Sequence, residues 1–193
     1  MLICIFGGAS KKIDDKYIKD GYELSLELAK RGHDLIYGGG SEGLMGASAR
    51  GFKDGGGKIH GVVPQFFLDG KMESLYDKCD KFTVTKDMTE RKNLMEDECD
   101  AFIVTPGGIG TYDELFEILT LKQLGRHDKA IAILNTNGYY DWLIKMMDES
   151  MEKGFINKQC NTLLKYFDKK EELIDYLESY SSADIEWQLL KKS

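Results

Sequence analysis

Short apolar runs, each followed by a stretch with helical spacing, recur from one end of this chain to the other. Residues 2–6, 34–37, 58–63, 82–85, 101–105, 130–134 and 163–167 read as strands. Residues 14–31, 43–53, 87–99, 111–124, 139–153 and 169–179 read as helices, with Gly32 placed to end the first. Strands separated by helices reach their neighbours by crossovers, so the expected sheet is parallel, with helices on both faces. The spacing gives one α/β domain over residues 1–180, without repeat or linker. Residues 181–193 form a tail whose Ile185, Trp187, Leu189 and Leu190 follow a short amphipathic pattern. That tail either docks on its own domain or meets another subunit.

At 193 residues the chain can bury a core without staples. The cysteines at 4, 79, 99 and 160 form no C-x-x-C pair, and the three histidines are scattered, so no metal site is expected. Reduced thiols, no leader-like start and no apolar run near the ~20 residues of a membrane span point to the cytoplasm. A net charge of −7 disfavours nucleic acid as a partner. An anionic ligand would need local devices: helix N-termini, backbone amides and a few chosen cations.

Such devices stand at three strand ends. In a doubly wound sheet, ligands sit beyond the carboxyl ends of the strands. Here those ends carry Gly7-Gly8-Ala9-Ser10, Gly38-Gly39-Gly40-Ser41-Glu42-Gly43, and Gly107-Gly108-Ile109-Gly110-Thr111. Together they suggest a phosphate-sized ligand approached closely by backbone, with Gly8, Ser10, Gly39, Gly40 and Gly43 as contacts beside the third turn. Gly38, Gly40 and Gly43 match the dinucleotide fingerprint, yet the next strand ends Val62-Val63-Pro64-Gln65, without the acid a ribose needs. Gly39, Ser41 and Gly43 also fit a nucleophile elbow, for which only His60 and His127 could complete a triad. A P-loop is excluded, because no G-x-x-x-x-G-K-[ST] occurs.

Pro106 is one of two prolines and ends its strand, having no N–H for a ladder. The glycines after it permit close approach, and Thr111 is placed as an N-cap with Glu114 three residues on. That T-x-x-E spacing reads either as a capping box or as an acid aimed inward, since Glu114 shares a face with Ile118 and Leu121. Arg91 shares the apolar face of Met88 and Met95 on the preceding helix. A guanidinium is rarely buried alone, so it forms either a structural ion pair or a contact to an anion or to Glu114.

The motifs Tyr37-Gly-Gly-Gly…Gly43-Leu-Met45-Gly46, Gly61-Val-Val-Pro64, Met88…Glu90-Arg91-Lys92, Pro106-Gly-Gly-Ile-Gly-Thr111…Glu114, Gln123-Leu-Gly125 and Asn137-Gly-Tyr-Tyr140-Asp141 closely resemble the LOG (lonely guy) family. Its members are cytokinin riboside 5′-monophosphate phosphoribohydrolases, and the resemblance runs from Leu2 to about Leu177. It implies a Rossmann-like fold, a homodimer, no cofactor, and hydrolysis of the N-glycosidic bond of an N6-substituted AMP. Arg91 and Glu114 would be catalytic. Met45, Met88, Lys92, Gly107, Gly108, Ile109, Gly110, Thr111, Asp113 and Thr120 would contact the nucleoside 5′-monophosphate. The chain departs from the family in its Phe6-Gly-Gly-Ala-Ser10 turn, at Thr89, at Asp113, and over residues 66–78, where Glu73 is the candidate for another acid. A decarboxylase, the label often given to this family, would need a Schiff-base lysine, and no S-x-H-K element supplies one.

Breaking the bond from ribose to a purine nitrogen builds oxocarbenium-like charge, which a nearby carboxylate stabilises. The glycines would hold the 5′-phosphate, and a helix capped by Thr111 would carry Glu114 one turn, about 5 Å, further on. A broad AMP nucleosidase, a non-catalytic nucleotide or cofactor carrier and a serine hydrolase at Ser41 are the alternatives.

Overall fold

The computed structural model describes residues 1–70, 74–185 and 190. Glu73, Trp187 and Leu189 lie outside the described residues. Seven strands form one sheet: β1 (Leu2–Phe6), β2 (Asp34–Tyr37), β3 (Ile59–Pro64), β4 (Lys81–Thr85), β5 (Ala101–Val104), β6 (Ala130–Leu134) and β7 (Lys165–Phe167). All pairings are parallel and the order is β4-β3-β2-β1-β5-β6-β7. The helices are α1 (Asp15–Lys30), α2 (Gly43–Gly55), α3 (Gln65–Gly70), α4 (Met88–Glu98), α5 (Ile109–Gln123), α6 (Asp141–Glu152) and α7 (Lys170–Ser179). This is the doubly wound α/β architecture expected.

Alternation along each strand builds two cores at once. Ile3 and Ile5 of β1 join Leu35, Ile103 and Ala132 against α1, α2 and α7. Cys4 and Phe6 join Ile36, Phe102 and Ile133 against α4, α5 and α6. Strands buried on both faces read as unbroken apolar runs, which is why they were visible in the sequence. Ile185 and Leu190 of the tail are buried in the second core, so these two side chains pack on their own domain.

Several boundaries move. β7 is shorter than the expected 163–167, because residues 158–162 form a 3-10 turn that carries the chain past Leu163 and Leu164. α3 was not expected; none of its side chains is buried, so it lacks the periodic apolar face that signals a helix. Gly32 follows the C-cap of α1 with a left-handed φ of +84°, its expected role. No helix among the described residues is long and apolar enough to cross a membrane.

The topology fixes where a ligand can lie. β1 and β5 are neighbours, but the chain leaves β1 for α1 on one face and β5 for α5 on the other. The two connections part at the carboxyl ends of these strands and open a crevice there.

Candidate active site

Three loops meet at Gly8. Its N–H donates to the Pro106 carbonyl (3.0 Å), and its own carbonyl accepts from Leu44 (2.7 Å). Gly43 turns with φ +58°, and a Cβ there would lie 2.4 Å from the Gly8 carbonyl oxygen, so only glycine lets the second loop approach this closely. The result is a cleft of about 280 Å³ lined by Gly8, Ala9, Ser10, Ile13, Pro106 to Gly108, and Tyr139. α5 opens onto it with Gly108 as N-cap and no side chain bonded to the cap. The unpaired amides and dipole of a helix N-terminus favour an anion at this place.

Thr111 is not the N-cap of α5, so of the two readings of T-x-x-E the capping box does not hold. α5 begins two residues earlier than expected, at Ile109, so Thr111 is already inside the first turn and Glu114 lies in the second. Glu114 is therefore five residues, about 7.5 Å, along the helix rather than one turn from its cap. Its carboxylate instead meets Arg91. The Arg91 Nη1 to Glu114 Oε1 distance is 3.5 Å, with side chains only 6% and 12% exposed.

Arg91 is fixed on every side. α4 is begun by Asp87, whose carboxylate accepts from the Glu90 amide (2.9 Å), while Glu90 accepts from Lys86 (2.8 Å). One turn in, the Arg91 Nε donates to the Val62 carbonyl (3.1 Å) and Nη1 lies 3.9 Å from the Met88 sulfur. The guanidinium lies close against Gly38, where a Cβ would fall 1.8 Å from Nη2 and 2.6 Å from the end of Met45. Gly38, Met45, Met88, Arg91 and Glu114 thus form one constellation. A buried ion pair is a poor source of stability, because desolvating both charges offsets most of their attraction. Function is the better reason for such a pair on the helix that opens onto the cleft.

The remaining expected contacts are dispersed. Gly39 to Ser41 run beside residues 74–76: the Gly39 carbonyl accepts from Tyr76 (3.0 Å), Ser41 donates to Ser74 (2.8 Å), and Gly40 bridges Leu75. This turn makes room for Arg91 and does not line the cleft. Ser10 is exposed at the cleft rim, and its hydroxyl accepts from the Lys12 amide (3.2 Å). Lys92 pairs with Asp113 (3.0 Å) and with Glu117, between α4 and α5. Burial pulls its ammonium down, but the two carboxylates outweigh this and hold its pKa above the usual lysine value. Ile109, Gly110 and Thr120 are exposed; Ile109 and Thr120 stand with Phe116 and Leu124 on the outward stripe of α5. His60 is held by Thr83 (2.8 Å) and Glu98 (3.1 Å), and His127 by the Ile118 carbonyl (2.8 Å). With both imidazoles engaged elsewhere, Ser41 has no base to make it a nucleophile. Sequence reasoning gave no role to Tyr139, Ile13 or Glu117. The run Asn137 to Asp141 was noticed only as a motif, with no chemistry attached.

Comparison with known proteins shows the family and the fold. Residues 45–177 match the sequence model of a family described as possible lysine decarboxylase. The chain is 38% identical over 179 residues to cytokinin riboside 5′-monophosphate phosphoribohydrolase LOG4 of Arabidopsis thaliana, covering 93% of this chain and 82% of that protein. It is 37% identical, with the same coverage, to LOG3 of the same plant, which bears the same activity in its name. Among solved structures, the molybdenum cofactor binding protein of Rippkaea orientalis superposes with a TM-score of 0.70 over 92% of this chain and 95% of its own. Its 21% identity makes that a likeness of fold alone.

Proposed function

We propose a reaction for this chain from one premise: it belongs to the LOG family, the family described as possible lysine decarboxylase, whose relatives are named phosphoribohydrolases. The chain is a hydrolase of the same kind. It releases free base and ribose 5-phosphate from a nucleoside 5′-monophosphate, with an N6-substituted adenine as the base. The observation that carries this reading is the buried Arg91–Glu114 pair, with Glu114 borne on the helix whose N-cap Gly108 lines the cleft.

The 5′-phosphate lies at the N-terminus of α5, against the main chain of Gly8, Gly107 and Gly108. The rise from Ile109 to Glu114, about 7.5 Å, spans the distance from phosphate to glycosidic bond. As the bond from C1′ to the purine nitrogen breaks, positive charge grows on the sugar, and the Glu114 carboxylate stabilises it. The same carboxylate orients a water whose oxygen bonds to C1′, while the departing base takes up a proton. Arg91 holds Glu114 in aim. The reaction consumes water and no other co-reactant. Lys92, next to this pair, is the wrong lysine for a Schiff base, because Glu117 and Asp113 keep it an ammonium.

The test is Glu114→Gln, with product chromatography on AMP and on N6-isopentenyl-AMP. The rate should fall at least ~100-fold while nucleotide binding is retained. Unchanged turnover refutes the assignment, and equal rates on the two nucleotides favour a broad nucleosidase. A homodimer is part of this reading: Ile109, Phe116 and Leu124 expose an apolar stripe on α5 that a second copy would cover. Light scattering should give twice the 21.9 kDa chain mass. Four free cysteines fit a reducing compartment, and we place the protein in the cytoplasm.

A further inference from the structure

Three consecutive carbonyls of the phosphate loop are each held by a hydrogen bond. The Tyr140 hydroxyl donates to the Thr105 carbonyl (2.8 Å) and the Tyr139 hydroxyl to the Gly107 carbonyl (2.6 Å). Between them, the Pro106 carbonyl accepts from Gly8 (3.0 Å). In a planar trans peptide, C=O and N–H point in opposite directions. Pinning the Pro106 and Gly107 carbonyls therefore fixes where the N–H groups of Gly107 and Gly108 point. Thr105 precedes a proline, so its pinned peptide carries no donor to aim.

The tyrosines are delivered by a turn of uncommon backbone shape. Asn137 is the only non-glycine residue with positive φ among the described residues, at +52°, and Gly138 follows at +69°. Left-handed backbone at a non-glycine residue costs free energy, and it persists where the surroundings enforce it. Here they do: Asn135 accepts from the Tyr140 amide (2.7 Å) and donates to Asp141 (2.9 Å) and Asp168 (3.1 Å). Tyr140 is fully buried and cannot reach a ligand, whereas Tyr139 lines the cleft. Burial, with the neighbouring Tyr112 hydroxyl, pushes Tyr139 up to about 12, and burial raises Tyr140 further, so both remain donors across the working pH range.

We propose that Tyr139 and Tyr140 are positioning residues that hold the 105–108 loop with its amides facing the cleft, and so set affinity for the 5′-phosphate. The proposal rests on the reading of this cleft as the phosphate site. Each hydrogen bond is worth about a factor of ten.

The experiment compares a nucleoside 5′-monophosphate with the matching nucleoside, and measures inhibition by ribose 5-phosphate, in the wild type, Tyr139→Phe and Tyr140→Phe. The wild type must prefer the monophosphate; if it does not, the phosphate assignment fails before any variant is made. Given that preference, each variant should raise KM for the monophosphate about 10-fold and weaken ribose 5-phosphate inhibition alike. kcat should stay within about twofold, and the nucleoside rate should not move. Loss in Tyr139→Phe alone means direct contact and overturns positioning; an equal loss on nucleoside and nucleotide means a general structural role and overturns it too. Should Tyr140→Phe fail to fold, amide exchange at residues 107–108 of Tyr139→Phe decides: faster exchange supports the clamp and unchanged exchange refutes it.

Discussion

Replacing Glu96 by glutamine should stabilise this protein at neutral pH and much less in acid. Glu96 lies on α4, between Arg91 and the end of the helix. It is 8% exposed, and its Oε1 is buried without a hydrogen-bond partner among the described residues. Burial, followed by the nearby Glu117 carboxylate and to a lesser degree Asp97, raises its pKa to about 7; Lys92 and Lys129 pull the other way and do not prevail. Where both states hold the proton, at low pH, ionisation of Glu96 costs nothing. As pH rises past 4.5 the unfolded chain ionises and the folded one does not, so folding loses stability until about pH 7 and then levels off. At about 1.4 kcal/mol per unit, the cost is about 1 kcal/mol near pH 5 and about 3 kcal/mol near pH 8. Glutamine keeps the shape and cannot ionise. The backbone carbonyl of residue 96, which accepts from Lys129 and Cys99, is untouched. Urea unfolding of both proteins should therefore show an advantage for Glu96→Gln that grows from about 1 to about 3 kcal/mol between those pH values. An advantage that does not change with pH would refute the reasoning, because it would mean that Glu96 is ionised in the folded state throughout.

Gly38→Ala should cut turnover by ~100-fold or more with the circular dichroism spectrum unchanged, since its methyl would displace the Arg91 fork 1.8 Å away; ribose 5-phosphate binding should survive. Lys122 is fully buried, and desolvation lowers its pKa to about 8 from the usual 10.5. The folded state releases that proton first, so the cost of the buried ammonium fades as pH rises from 8 to 10.5, and Lys122→Met should abolish this gain in denaturation curves across the range.

The legible parts of this molecule are those where a local rule has no competitor. The inner strands were recognisable because they are buried on both faces and read as unbroken apolar runs. The edge strands β4 and β7 are more exposed, and β7 was the one whose bounds moved most. α3 was not, because a six-residue helix with no buried side chain has no periodic signature. The misplaced start of α5 has a different cause. A search for caps looks for a side-chain oxygen and stops at Thr111, whereas Gly108 caps with none. The two open readings of Arg91 and Glu114 depended on how α4 and α5 lie against each other, and residue spacing within either helix does not encode that. Nor could the sequence reveal that Gly38, in the second glycine turn, makes room for Arg91. That role appears only when a guanidinium from another helix is found where a Cβ would stand.

The charges show how an acidic chain would hold an anion beside Glu114, the acid proposed to be catalytic. None of the described residues lining the cleft is charged. Arg91 is matched by Glu114, and Lys92 by Asp113 and Glu117, so neither cation is left for a phosphate. A lysine in the cleft would bind phosphate more strongly, but it would also draw Glu114 away from the sugar. Backbone dipoles avoid that conflict, since a helix N-terminus attracts an anion without offering a carboxylate a partner to chase. The Arg91–Glu114 pair is near neutral as a whole, so its repulsion of a phosphate about 7.5 Å away along α5 is small, while its carboxylate still acts on a cation forming next to it. A site that depends on dipoles rather than charges must aim them, and here the carbonyls of the loop are held in place.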